Sequence, residues 1–101
     1  MGTVNVYQFY YYEPALGLLY PGQRRTKFYT WDWVNKSATA TAMPFDAWGQ
    51  DRSLEVQNLR MRTYGLNDPN TSPIQYLQLD VVNVGRDSVA IYWVELAAFI
   101  R

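Results

Sequence analysis

Hydrophobic and polar residues alternate along most of this chain with a period of two, as in extended strands that turn successive side chains to opposite faces. Val4, Val6, Gln8, Tyr10 and Tyr12 share one face of the first such segment, and Asn5, Tyr7, Phe9 and Tyr11 share the other. Both faces are largely apolar or aromatic, so this strand is expected to be covered on both sides or to lie at an interface. Pro14 and the stretch through Tyr20 end it. Pro21-Gly22 predicts a tight turn, with proline presetting φ and glycine supplying a positive one.

Arg24 to Val34 reads as a second strand, with Tyr29, Trp31 and Trp33 on one face and Phe28, Thr30, Asp32 and Val34 on the other. Asn35-Lys36 predicts a turn. Ser37 to Met43 then forms a third strand in which Ala38, Ala40 and Ala42 alternate with Thr39, Thr41 and Met43. A helix competes for this alanine-rich piece, but its serine and threonines and the following Pro44 favour the strand. Its small residues read as the complement of the ring-bearing face before it, large against small across a hairpin.

A loop follows, with Trp48 isolated in it. Ser53 to Tyr64 is the fourth strand, and its apolar residues change phase: Leu54 and Val56 have one parity, Leu59 and Met61 the other. A β-bulge near Gln57-Asn58 restores a single apolar face and turns Arg60 and Arg62 to solvent or to a neighbour. The stretch GLNDPNTSP, residues 65–73, is loop. Ile74 to Val84 is the fifth strand, with Leu77, Leu79 and Val81 on one face. Gly85-Arg86-Asp87 is expected to close a hairpin onto the last strand, Ser88 to Ile100. That strand is apolar on both faces, which suits a central position or burial against a partner chain.

The piece LDVVNVGRDSVAIYWVELAAF, Leu79 to Phe99, resembles the strand, Asn-x-Gly turn and strand of Ig-like and fibronectin-like modules. The resemblance implies a hairpin with Asn83 and Gly85 in its turn. Strands joined by short turns, without an amphipathic helix, predict an all-β fold. The expected form is a single antiparallel β-sandwich of about six to eight strands, Ig-like or jelly-roll-like, with a small barrel as the alternative. One domain spans residues 1–101.

Composition limits what such a fold can do. Of 101 residues 17% are aromatic, including nine tyrosines and four tryptophans, and the formal net charge is zero. Neutrality removes the general attraction to nucleic acid and to acidic membranes. It also leaves a tyrosine-rich surface weakly protected against self-association, so a homo-oligomer is expected. The chain has no histidine and no cysteine, hence neither the commonest general base nor a thiolate. An enzyme, a cofactor and a bound metal are therefore not expected. No basic-then-apolar leader opens the sequence and no apolar run is long enough to span a membrane. These features fix no location: the cytoplasm and export without a cleavable leader are both compatible with them.

The candidate chemistry is recognition. Sugars present apolar C–H faces that stack on aromatic rings. Trp31 and Trp33 on a strand, with Trp48 in a loop beside Asp46, Gln50 and Asp51, are the candidate carbohydrate-binding residues. The competing reading packs Tyr29, Trp31 and Trp33 into the core or an interface and leaves Trp48 as the exposed ring. Asp46, Asp51, Asn67, Asp68 and Asn70 offer oxygen ligands of the kind calcium takes, but their spacing is not that of an EF-hand, and they serve equally as turn formers. Arg24, Arg25 and Lys27, with Arg60 and Arg62, could meet a single-stranded nucleic acid, a role that the neutral charge argues against; charge guarding a strand edge is the other account. Glu95, on an apolar face between Trp93 and Ala97, would need Arg60 or Arg62 as its partner if buried. The chain therefore reads as a non-catalytic binding module, a lectin-like, carbohydrate-binding β-sandwich acting as an oligomer. The alternative is a structural or assembly protein that self-associates, or docks a protein partner, through aromatic strand faces.

Overall fold

The computed structural model describes residues 2–45, 50–64 and 74–101. Among the described residues six strands carry the fold: β1 (Thr3–Tyr12), β2 (Arg24–Thr30), β3 (Lys36–Pro44), β4 (Leu54–Tyr64), β5 (Ile74–Asn83) and β6 (Ile91–Ile100). They form two three-stranded antiparallel sheets, ordered β1-β6-β3 and β2-β5-β4. Among the described residues the sheets do not close into a barrel. β1 lies beside β6 and β2 beside β5, so the first half of the chain runs back along the second and the pair is rolled into two layers. Among the described residues this strand order follows the winding of a jelly roll, with six strands in place of eight.

Each sheet is built on its most apolar strand. β5 turns Leu77, Leu79 and Val81 inward, and β6 turns Tyr92, Val94, Leu96 and Ala98 inward, all fully or almost fully buried. Leu19 and Val89 pair as an isolated bridge at one end of the core, exchanging both backbone hydrogen bonds (3.0 and 2.9 Å). The Tyr20–Gln23 turn forms as expected. The Gln23 amide donates to the Tyr20 carbonyl at 2.9 Å, and Gly22 takes φ +82°. The bulge in β4 is present too. The register shifts between Gln57 and Arg60, and Asn58 sits in the left-handed region at φ 56°, which asparagine tolerates better than most residues.

Three expectations about pairing are corrected. Gly85 does not close a hairpin, because β5 and β6 are the centres of different sheets. The fully buried Asn83 side chain shapes this crossing: its amide donates to the carbonyls of Leu19 (3.0 Å) and Asp87 (2.8 Å), and its oxygen accepts from the Gly85 amide (2.9 Å). Glycine is needed at 85 for close approach. A Cβ there would lie 2.5 Å from the Asp51 carbonyl oxygen and 2.7 Å from the Ser53 nitrogen.

Nor do β2 and β3 form a hairpin. β2 ends at Thr30, and Trp33 to Lys36 make a turn, closed by the Lys36 amide on the Trp33 carbonyl at 3.1 Å, with Asn35 left-handed at φ 58°. The turn sends the chain to the opposite sheet, where β3 pairs with β6. Large still meets small, but between layers: Ala38, Ala40 and Ala42 join Tyr29 and Trp33 in the shared core. Glu95, finally, meets neither Arg60 nor Arg62, which belong to the other sheet. It lies on the outer face of β6 and accepts from Gln8 Nε2 at 3.1 Å.

Candidate functional site

Where β1 and β2 face each other, no backbone pairing joins the two sheets; side chains fill the gap. The inward parity of β1 supplies Tyr7, Phe9 and Tyr11, and that of β2 supplies Arg25, Lys27 and Tyr29. The result is a mouth with an aromatic half and a charged half, divided by the Tyr11–Tyr29 pair whose hydroxyls meet at 2.5 Å. Burial, more than any neighbouring charge, pushes both phenols above their ordinary titration range.

The aromatic half holds a cavity of about 220 Å³ with Leu96 and Thr30 in its lining. Phe9 tilts against Tyr29, ring centres 4.6 Å apart. Trp31 stands nearly perpendicular to two rings: to Tyr7 at 73° and 5.8 Å, and to Trp33 at 81° and 5.2 Å. Leaving the sheet after Thr30 makes this corner. The Trp33 amide donates to Gln75 Oε1 and its indole N–H to the Tyr29 carbonyl, both at 3.1 Å. Those bonds fix Trp33 as an inner wall, 6% exposed, while Trp31 shows 37% of its surface to solvent.

The charged half is centred on Glu13, in the 3-10 turn Glu13–Ala15 that follows β1. Its side chain is 1% exposed, yet two cations reach it: Arg25 Nε at 3.0 Å and Lys27 Nζ at 3.5 Å. Rings share the surplus positive charge, since Lys27 Nζ lies 3.9 Å from the centre of the Tyr11 ring and 5.7 Å from that of Tyr92. The Tyr92 hydroxyl sits beside the Glu13 carboxylate, short of full hydrogen-bond alignment. Burial, and then that carboxylate, hold its phenol well above the ordinary value.

Of the six expected ligand residues, the structure brings two together: Trp31 and Trp33 line one cavity. Asp46 and Trp48 lie outside the described residues, as do residues 67–70 of the oxygen-rich loop. Gln50 is exposed coil. Asp51 serves the fold: its carbonyl accepts from the amides of Arg86 (3.1 Å) and Asp87 (3.0 Å), and its own amide donates to the Asp87 carboxylate at 2.7 Å. Among the described residues no group of three or more His, Cys, Asp or Glu side chains is placed to hold a metal ion. The expected basic cluster divides between faces, Arg24 outward to Asp80 at 3.0 Å and Arg25 and Lys27 inward to Glu13. Sequence reasoning missed Tyr7, Phe9 and Glu13 as parts of the mouth. The parity of β2 carried the signal, since Arg25 and Lys27 alternate in step with the core residue Tyr29.

The second notable surface is the outer face of the β1-β6-β3 sheet. Val4, Val6, Tyr10 and Tyr12 from β1, Phe99 from β6 and Met43 from β3 are all exposed there. Tyr10 and Phe45 pack against Trp93, ring centres 5.7 and 6.0 Å apart. The hydrogen-bonded Gln8–Glu95 pair crosses the centre of the face. Among the described residues no helix is long and apolar enough to cross a membrane.

Fold and surfaces together describe a small antiparallel β-sandwich with an aromatic mouth and one apolar sheet face. Comparison with protein-family models, curated protein sequences and solved structures gave no match.

Proposed function

We propose that the protein is an assembly module that pairs with further copies of itself across the outer face of the β1-β6-β3 sheet. One observation carries the reading: Val4, Val6, Tyr10, Tyr12, Met43 and Phe99 are exposed on a single sheet face. Contiguous apolar patches on soluble monomers rarely exceed a few hundred Å², and larger ones mark interaction surfaces. Three strands about 4.8 Å apart and about ten residues long, at about 3.3 Å per residue, give the whole face, its polar Gln8, Glu95, Ser37, Thr39 and Thr41 included, a footprint of roughly 500 Å² on each copy. Two such faces bury about 1,000 Å², the size at which a protein contact becomes specific.

The edge strand points the same way. Natural edge strands carry charge or proline to block pairing with another chain, and β1, TVNVYQFYYY, has neither. A lectin-like ligand, the other reading of the chain, would sit in the aromatic mouth with Trp31 as its exposed ring. That lining offers few hydrogen-bonding groups, so self-assembly stands first.

Light scattering and sedimentation of the wild type against Val6→Lys and Tyr10→Lys test the proposal. Both positions are exposed, so the variants are expected to fold. The wild type should be oligomeric, and each lysine should shift it to monomer. A wild type that stays monomeric at every concentration overturns the reading.

A further inference from the structure

The geometry points to the aromatic half of the mouth as a binding site for a quaternary ammonium group, a compact cation clad in methyl groups. The inference is independent of self-assembly, because the mouth opens between the sheets and not on the outer face. Three features of the cavity select the ligand class.

The first is shape. A flat ligand, whether a sugar face or an aromatic ring, wants one open ring or two parallel ones. Here Trp31 meets Tyr7 at 73° and Trp33 at 81°, so the walls form a corner. Such a corner presents several ring surfaces to one rounded group. The second is chemistry. Among the described residues, no carboxylate and no cationic side chain lines the cavity. A primary ammonium would lose its hydrogen bonds to water there with poor replacement, and an anion would meet the negative faces of the rings. A quaternary ammonium has no N–H to satisfy, and its diffuse charge is attracted to ring faces.

The third feature is that rings around the mouth already take cations. Lys36 Nζ lies over Trp31, 4.7 Å from the ring centre, without lining the cavity. Its ammonium donates to the backbone carbonyls of Asp32 and Val34. Lys36 is thus a like charge that a bound cation must tolerate, and removing that charge should tighten binding.

Titration with tetramethylammonium and choline, followed by tryptophan fluorescence and by calorimetry, tests the site. The control ligand is 3,3-dimethylbutan-1-ol, which has choline's shape without its charge. Saturable binding of the two cations is expected, roughly tenfold tighter than the neutral alcohol, the share of a well-desolvated cation–π contact. Trp31→Phe should retain binding and Trp31→Leu should abolish it, with the fold checked by circular dichroism. Lys36→Gln, which keeps hydrogen-bond donors but removes the charge, should bind the cations more tightly and the alcohol unchanged. Equal affinity for the alcohol overturns the proposal, as does undiminished binding by Trp31→Leu. Saturation by a methyl glycoside in place of the cations would return the mouth to the carbohydrate reading.

Discussion

Asn58, held in the left-handed conformation by the β4 bulge, donates its side-chain amide to the carboxylate of Asp80 on the neighbouring strand at 2.9 Å. The bulge delivers this side chain to a carboxylate that Thr26 Oγ1 (2.7 Å) and Arg24 Nη1 (3.0 Å) also reach. Hydrogen bonds from Asn58 and Thr26, with a smaller contribution from Arg24, hold the Asp80 carboxyl below its ordinary value of 3.8. A carboxyl depressed in the folded state stabilises fully above its unfolded value. That stabilisation is lost as pH falls through the folded one.

Urea unfolding between neutral and acid pH should therefore show wild-type stability falling below about pH 4, with Asp80→Asn losing part of that dependence. At neutral pH, Asn58→Gly removes the hydrogen bond and keeps the backbone conformation, at a cost of about 1–3 kcal/mol. Asn58→Ala adds the strain of a left-handed alanine and should be the less stable of the two. Equal stability of the pair would contradict the role given to the bulge.

Glu13 is the single carboxylate that pairs with both Arg25 and Lys27, at a site almost closed to solvent. Removing one partner from a buried ion pair costs roughly 3–5 kcal/mol. Arg25 and Lys27 keep some exposure, at 24% and 12% of their side chains, so Glu13→Gln is expected toward the low end. Adding Lys27→Met to Glu13→Gln should recover part of the loss, because the surplus buried charge is then smaller. Denaturant midpoints of the two single variants and the double variant read the coupling.

Two glycines should respond to alanine for different reasons. At position 85 the new Cβ meets the backbone of Asp51 and Ser53, which neither side chain can relieve, and overpacking of this kind costs about 1–3 kcal/mol or more. At position 22 the space is open but φ is +82°, and an L-residue there costs about 1 kcal/mol. Gly85→Ala should lower the melting temperature further than Gly22→Ala.

The two tryptophans of the corner should separate in the same way. Trp33→Phe removes the indole donor to the buried Tyr29 carbonyl and leaves a gap in the core. It should destabilise by about 1–3 kcal/mol. Trp31→Phe, at an exposed wall, should leave stability nearly unchanged. Equilibrium unfolding of the two variants checks this.

What the sequence made legible follows from what period two encodes. Alternation shows which residues share a face, so the strands, the inward Leu77-Leu79-Val81 set and the central place of β6 could all be read. The phase change between Val56 and Leu59 was enough to place the bulge. Alternation does not show which strand lies next to which. Asn35-Lys36 and Gly85-Arg86 both carry the local chemistry of hairpin turns, yet each takes the chain from one sheet to the other. Turn residues at 35 report a local backbone angle, and Gly85 reports a close approach to Asp51 that only the folded chain creates. The mouth was legible only in part for the same reason. Trp31 and Trp33 drew notice as rings, whereas Tyr7 and Phe9 become walls only because β1 and β2 end up on facing edges.

The rolled winding also bears on how the molecule is made. Thr3 pairs with Ile100 and Tyr12 with Ile91, and β3 finds its partner on the same final strand. The β1-β6-β3 sheet cannot begin to form until β6 has left the ribosome, and pairings this distant in sequence are slow to find one another. Throughout that interval the uncharged TVNVYQFYYY segment is without its partner strand. Chains in which β6 is not yet available should thus be the most vulnerable to aggregation, and the most dependent on holding chaperones.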